Sequence, residues 1–166
     1  PPDVDYRVDR PERHDLTGRL QNTQAVGISG AVGVGGAGGV GKSLLAIRYA
    51  NQEYSDNTLY ISMDAGTQRL RMVRLARMMG VTLDPDQDDT TTSRDLRRAL
   101  SQYDGLLILD NAENEADAKA LIPPSGGPCK TIVTSRDRAM LRRVTSKEHV
   151  IEVGLFTERQ ARAGCD

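Results

Sequence analysis

The residues with the most recognisable chemistry form a glycine-rich octapeptide, GAGGVGKS, at positions 36–43. The octapeptide fits the pattern G-x-x-x-x-G-K-[ST] at every fixed position. Glycine adopts positive φ angles and carries no Cβ, so several backbone N–H groups can point together at one anion. A helix that begins near the end of this segment would add its free N–H groups and the positive end of its dipole. The segment therefore predicts a cradle for a polyphosphate.

Two side chains of the octapeptide extend this prediction to a phosphate chain that carries Mg²⁺. Lys42 would reach the β- and γ-phosphates, and the hydroxyl of Ser43 would ligate the metal. We expect the remaining contacts to the nucleotide in this region from Gly36, Ala37, Gly38, Gly39, Val40, Gly41 and Leu44.

A magnesium site of this kind also needs an acidic residue near the metal. The segment LLILD at positions 106–110 supplies one, because its four apolar residues predict a buried strand with Asp110 at the carboxyl end. We predict that Asp110 is the second metal-binding residue. The alternative is that Asp110 caps the helix that follows.

The residue after Asp110 is Asn111, whose amide cannot take a proton from an attacking water. Many ATPases with such a phosphate loop have a second carboxylate at this position. We therefore expect slow hydrolysis, with Glu113 as the candidate catalytic base and Glu115 as an alternative.

An arginine follows a third predicted strand, KTIVT at positions 130–134. Because ligands of parallel sheets bind at the carboxyl ends of the strands, Arg136 could reach the γ-phosphate and sense its loss. The alternative is a surface arginine paired with Asp137.

The order of the predicted elements indicates the fold class. Strands are predicted at 58–63, 106–109, 130–134 and 150–153, and helices at 42–53, 69–79, 94–103, 115–121 and 137–143, with a further helix starting at the end of the chain. A short helix with Pro11 in its first turn precedes them. Strands that alternate with helices predict a parallel sheet covered on both faces.

Two segments allow more than one interpretation. The first strand could be AVGISG at 25–30 or its near-copy AVGVGG at 31–36, and we favour the second because it lies nearer the glycine loop. The polar, acidic segment 84–93 is expected to be a mobile loop.

Composition sets broad limits on the function. The chain has 166 residues, 38% hydrophobic and 27% charged, which fits one folded domain. Its net charge of -1 gives no indication of a nucleic-acid or membrane partner, and no apolar run is long enough to span a bilayer. The two cysteines and two histidines show no metal-ligand spacing and suit a reduced, cytoplasmic compartment.

The motifs resemble those of NB-ARC domains, the nucleotide-binding modules of STAND-class signalling ATPases. GVGGAGGVGKSLLA is similar to their Walker A motif, LLILDN to their Walker B motif and VTSR to their sensor-1 arginine motif. Upstream, VDRPE resembles the family's lead-in, in which Val8 and Arg10 would pack on the adenine. Downstream, VIEVGLFTERQA resembles the strand and helix start that close the ATPase subdomain. The resemblance spans roughly residues 6–163.

The resemblance implies an α/β, three-layer P-loop NTPase fold whose five-stranded parallel sheet has the strand order 2-3-4-1-5. It also implies an ADP/ATP switch with Mg²⁺ that is closed with ADP and opens and self-assembles with ATP. Residues 1–24 would form the lead-in and short helix, and residues 25–166 the ATPase core. We expect an excised piece that stops before the helical and winged-helix subdomains, so its partners would be those domains, sensor repeats, an effector and further copies of the chain.

Other classes are less compatible with the sequence. ParA- and MinD-type ATPases need a lysine where this chain has Ala37, and no N/T-K-x-D segment indicates a GTPase. A nucleic-acid-binding module is a further alternative, because Arg69, Arg71, Arg74 and Arg77 share one predicted helix, although a solvated basic face is the simpler interpretation. A static ADP-binding module and the ATPase core of a STAND transcription regulator also remain open.

Overall fold

The computed structural model describes residues 11–30, 40–146 and 149–153, and the elements below lie in those ranges. In chain order they are α1 (Pro11–Asn22), β1 (Ala25–Gly30), α2 (Val40–Glu53), β2 (Thr58–Ser62), α3 (Gln68–Met79), α4 (Asp89–Leu100), β3 (Leu106–Asp110), α5 (Glu115–Lys119), β4 (Lys130–Ser135), α6 (Arg138–Val144) and β5 (Val150–Val153). Most bounds agree with the sequence prediction to within two residues. The predicted C-terminal helix lies outside the described residues.

The five strands form one parallel sheet in the order β2-β3-β4-β1-β5. The predicted α/β class and strand order are therefore confirmed. All five residues of β3 are buried, as expected for a central strand covered on both faces.

Two apolar cores give the fold its three layers. On one face of the sheet, α1 and α2 contribute Leu16, Leu20, Leu45, Ala46, Tyr49 and Ala50, which pack on the sheet residues Val26, Ile28, Leu106, Ile108, Ile132 and Ile151. On the other face, α3 to α6 contribute Met72, Leu75, Ala76, Leu96, Leu100, Ala118, Met140 and Leu141, which pack on Leu59, Ile61, Leu107, Leu109 and Val133. Because successive strand residues point to opposite faces, β3 and β4 supply residues to both cores.

The first strand is AVGISG at 25–30, so our preference for the second copy was wrong. Val26 and Ile28 are fully buried, and the strand is paired with β4 on one side and β5 on the other. Gly27 lets α6 approach closely, since a Cβ there would lie 3.2 Å from two carbons of Leu141. The second copy, AVGVGG at 31–36, lies outside the described residues.

The acidic segment 84–93 is ordered in its second half, so the prediction of a mobile loop was wrong there. Helix α4 begins at Asp89, and the carboxylate of Asp88 accepts a 2.7 Å hydrogen bond from the backbone N–H of Thr91. Thr92 is fully buried, and its hydroxyl donates to the carbonyl of Asp88. A segment rich in aspartate and threonine predicts a loop, but here Asp88 is the N-cap of α4 and Thr92 lies at its first turn.

The arginines of α3 do not form one solvated basic face. Arg71 is buried, where its guanidinium donates to the carbonyl of Gly66 and lies 3.4 Å from the carboxylate of Asp117. Arg69 donates to the hydroxyl of Thr92 on α4. Both arginines therefore join neighbouring elements, which weakens the nucleic-acid interpretation.

No helix in the described part of the chain combines the length and the apolar character that crossing a bilayer requires.

Candidate functional site

A cleft of about 660 Å³ opens at the carboxyl end of the sheet, where the motifs of α2, β3 and β4 meet. It is lined by Ser43, Leu44, Ile47, Tyr60, Asp64, Asp110, Asn111, Ala112, Glu113, Ser135, Arg136 and Asp137. Residues from four separate sequence segments thus line one cavity, as the parallel topology requires.

Lys42 lies in the first turn of α2 and is almost completely buried, with 1% of its surface exposed. Burial lowers the pKa of Lys42, the nearby Arg136 lowers it further, and Asp110 partly offsets both effects. The site therefore concentrates positive charge at the amino end of a helix. An anion bound there would stabilise the charged form of the lysine.

Ser43 and Asp110 are in direct contact across the cleft. The hydroxyl of Ser43 lies 2.9 Å from Oδ1 and 3.0 Å from Oδ2 of Asp110. Two adjacent oxygen ligands of an octahedral Mg²⁺, each at about 2.1 Å, stand about 3 Å apart, so these oxygens fit the metal. Asp110 does not cap α5, because Asn114 has that role, so the capping alternative was wrong.

Thr134 fixes the orientation of Asp110 and was missed in the sequence. Its hydroxyl donates a 2.5 Å hydrogen bond to Oδ1 of Asp110 and accepts a 2.8 Å hydrogen bond from the backbone N–H of Asn111. Both Thr134 and Asp110 are buried. A threonine at the end of the strand beside the acidic strand was the available signal.

Tyr60 is a second residue that sequence reasoning missed. Its side chain extends from β2 into the cleft, and its hydroxyl donates a hydrogen bond to Oδ2 of Asp110. Burial raises the pKa of Tyr60, and the hydrogen bond to Asp110 and its charge raise it further, so the phenol remains a proton donor at neutral pH. The signal was a tyrosine at an outward position of a strand that is otherwise apolar at its centre.

Asn111 and Glu113 both line the cleft. Asn111 has a left-handed backbone with φ of 58°, a conformation that asparagine tolerates better than most residues. The amide at this position therefore also suits the turn that follows β3. Glu113 is exposed, which leaves its carboxylate open to solvent and to a ligand in the cleft.

Arg136 lies on a short connection that is anchored on both sides. The hydroxyl of Ser135 donates to the carbonyl of Ala112, and the carboxylate of Asp137 accepts from the backbone N–H of Met140 at the start of α6. Asp137 is therefore a helix cap, and the exposed Arg136 side chain borders the cleft.

Six of the predicted contact residues lie outside the described residues: Val8, Arg10, Gly36, Ala37, Gly38 and Gly39. Val40 begins α2, Gly41 follows it, and Leu44 lines the cleft. Among the described residues, no group of three or more histidines, cysteines, aspartates or glutamates could hold a metal. A magnesium ion here would keep water and phosphate ligands besides Ser43 and Asp110.

The comparison with protein families identifies this arrangement. The family model described as the NB-ARC domain matches residues 12–163. The chain belongs to the NB-ARC family. It is therefore a P-loop nucleotide-binding module of the ATPase type, and NB-ARC domains act within multidomain proteins. A comparison with curated protein sequences finds no match.

A solved structure supports the fold of this NB-ARC domain. The crystal structure of Cdc6p from Pyrobaculum aerophilum matches with a TM-score of 0.63 and 14% sequence identity. The match covers 87% of this chain and 46% of the Cdc6p chain, so the NB-ARC chain spans less than half the length of that protein. At this identity the likeness concerns the fold alone.

Proposed function

We propose that this chain is the ADP/ATP-binding switch of a STAND-type signalling protein, with slow Mg²⁺-dependent hydrolysis of ATP. The observation that carries the proposal is the meeting of the Ser43–Asp110 pair and Arg136 at one cleft, with the buried Lys42 close enough to both Asp110 and Arg136 to feel their charges. A buried lysine, a metal-binding pair and an exposed arginine beside them match the charge of a nucleotide with its magnesium ion.

Each side chain has a distinct task in this proposal. Lys42 binds the β- and γ-phosphates, together with the backbone N–H groups of residues 36–44. Ser43 and Asp110 hold Mg²⁺, which when bound neutralises charge on the phosphate oxygens. Val8 and Arg10 contact the adenine.

Arg136 acts as the sensor of the γ-phosphate. Its backbone is fixed by the hydrogen bonds of Ser135 and Asp137, whereas its side chain is exposed at the cleft. A guanidinium in this position gains a charge-assisted hydrogen bond with ATP that ADP does not offer. Arg136 therefore gives the two nucleotides different binding energies, which is the condition for a nucleotide switch.

Hydrolysis is slow because Asn111 cannot act as a base and its neighbour Glu113 is exposed to solvent. Glu113 is the candidate base, since its side chain lines the same cleft. A slow reaction suits a switch, because the ATP state then persists long enough for assembly.

The chain works as the ATPase core of a longer cytoplasmic protein. Residues 1–24 are the lead-in, residues 25–166 are the core, and the helical and winged-helix subdomains follow outside this piece. With ATP the core forms homo-oligomers through those neighbours and an effector domain. It contacts neither a membrane nor nucleic acid directly, whether or not the full protein is a transcription regulator.

The second candidate function is a static module that keeps ADP as a structural ligand, and Asn111 at the position of a second carboxylate favours it. Particle size and protease sensitivity of the chain, each measured with ADP and with a non-hydrolysable ATP analogue, separate the two functions. A switch gives two patterns, and Arg136→Ala reduces the difference between them, while Arg142→Ala, at an exposed position of α6, does not. A static module gives one pattern with both nucleotides, because a ligand with equal affinity for two states shifts neither.

A further inference from the structure

Three hydroxyl groups contact the carboxylate of Asp110, and both of its oxygens already accept hydrogen bonds. An ionised carboxylate offers about four lone-pair sites. Oδ1 accepts from Thr134 and Ser43, and Oδ2 accepts from Tyr60 and Ser43. Because the single hydrogen of Ser43 is shared between the two oxygens, three hydroxyl hydrogens occupy most of these sites, and a metal or metal-bound water that approaches Oδ2 meets a donor already there.

Thr134 cannot be the donor that leaves. It is fully buried in β4, between Asp110 and the backbone N–H of Asn111, and its hydroxyl bonds both of them. Turning that hydroxyl away would leave buried polar groups without partners, which costs about 1–3 kcal/mol.

Ser43 does not need to leave. Its hydroxyl oxygen can ligate Mg²⁺ through a lone pair while its single hydrogen still points at Asp110. The contact distances of 2.9 and 3.0 Å already suit two neighbouring ligands of that ion.

Tyr60 is the donor that can be displaced. It belongs to β2, the edge strand of the sheet, and 39% of its surface is exposed in the cleft. Leu59 and Ile61, its neighbours in β2, point to the opposite face of the sheet, so the ring of Tyr60 is not packed in the core that they join. Solvent can accept the phenol hydrogen bond once the side chain turns away from Asp110.

We propose that Tyr60 competes with Mg²⁺ for Oδ2 of Asp110, and thereby lowers the affinity of the site for the metal and reports its arrival. The inference rests on the proposed function, because it concerns the same metal site. Tyr60 acts through Asp110 and is a positioning residue. When the metal or its water takes Oδ2, the phenol transfers its hydrogen bond to water and no covalent bond changes.

The test uses Tyr60→Phe and a matched control, Tyr54→Phe, whose ring packs on Tyr49 rather than at the cleft. ADP affinity is measured for both variants and the wild type over a series of free Mg²⁺ concentrations. Tyr60→Phe is expected to reach half of the Mg²⁺ effect at a concentration about threefold to tenfold lower, the range expected for one hydrogen bond. Tyr54→Phe is expected to match the wild type at every Mg²⁺ concentration.

Tyrosine fluorescence gives a second readout that does not depend on hydrolysis. The chain has five tyrosines and no tryptophan, so tyrosine emission is not hidden. A phenol bonded to a carboxylate emits weakly, and its release by Mg²⁺ should raise the emission of the ADP-loaded wild type and of Tyr54→Phe, but not of Tyr60→Phe.

Two results would overturn this inference but leave the proposed function intact. In the first, ADP binding depends on Mg²⁺, but Tyr60→Phe needs the same or a higher Mg²⁺ concentration for half of the effect. In the second, the rise in emission persists in Tyr60→Phe. A wild-type chain that binds ADP without any influence of Mg²⁺, or does not bind it, would overturn the metal site of the proposed function and the inference with it.

Discussion

Thr134 and Asp110 stand at the ends of two neighbouring strands and share a 2.5 Å hydrogen bond between the threonine hydroxyl and Oδ1 of the carboxylate. The strand register brings them together, because Leu109 lies opposite Val133 in the sheet. The same hydroxyl accepts from the backbone N–H of Asn111, so one side chain fixes both the metal-binding carboxylate and the turn that follows it.

The first prediction concerns this hydroxyl. Thr134→Val is expected to lower the free energy of unfolding by about 1–3 kcal/mol, since the backbone N–H of Asn111 loses its acceptor and the buried carboxylate of Asp110 loses one of its three hydroxyl donors. Thr134→Ser, which keeps the hydroxyl, is the matched control. Urea denaturation measures both variants, and equal stability of the valine and serine variants would contradict the role given to Thr134.

The second prediction concerns Lys42. Lys42→Met keeps the volume of the side chain stem but removes the charge, and ATP affinity is expected to fall at least about 30-fold, as for the loss of one partner of a buried charge pair. Lys119→Met, at an exposed lysine of α5, is the control. Calorimetric titration with ATP measures the effect, and near-normal binding by Lys42→Met would remove the phosphate role of this residue.

The third prediction concerns Asp110. Asp110→Ala is expected to make nucleotide affinity independent of Mg²⁺, because the carboxylate that helps hold the metal is gone. Asp64→Ala is the control, since Asp64 lines the same cleft but is exposed and bonds Ser62 instead. A Mg²⁺ titration of Asp110→Ala that matches the wild type would show that Asp110 has a structural role and does not bind the metal.

The fourth prediction is a pH dependence that arises at Cys129. This thiol is fully buried, and burial raises its pKa from 9.0 to about 11. The unfolded chain therefore loses this proton at lower pH than the folded chain does. The contribution of the protonated thiol to the free energy of unfolding is complete below pH 9 and is lost as the pH rises toward 11.

The measurement uses a Cys165→Ser background, in which Cys129 is the remaining thiol. Between about pH 8 and about pH 10, the free energy of unfolding is expected to fall by about 1 kcal/mol more than in the same background with Cys129→Ala. Parallel pH profiles of the two proteins would show that the thiol is ionised equally easily in both states.

The motifs that depend on local spacing could be predicted from the sequence. Helix α2 begins with the VGKS end of the glycine-rich segment, LLILD is a fully buried strand, and Arg136 follows the neighbouring strand at the cleft. These features arise from short apolar runs and from the rule that ligands bind at the carboxyl ends of parallel strands.

The features that were missed depend on contacts between distant segments. Tyr60 and Asp110 are fifty positions apart, and their contact requires the pairing of β2 with β3. The choice between two near-copies for β1 also required tertiary information, because both have the same alternation of valine or isoleucine with glycine. The pairing partners and the close approach of Leu141 to Gly27 identify the first copy as the strand.

The acidic segment shows a related limit. Asp88 and Thr92 have low helix propensity, and a window of such residues predicts a loop. At the start of a helix the same side chains form hydrogen bonds with free backbone N–H groups and carbonyls, so residues that predict a loop by composition here stabilise a helix.

The most direct test of the central claim is a titration of the purified chain with ADP, ATP and GTP in the presence of Mg²⁺. The expected result is binding of ADP and ATP at one site per chain, with much weaker binding of GTP and loss of all binding in Lys42→Met. A clear preference for GTP, or the absence of adenine nucleotide binding, would contradict the assignment of this cleft to an ADP/ATP switch.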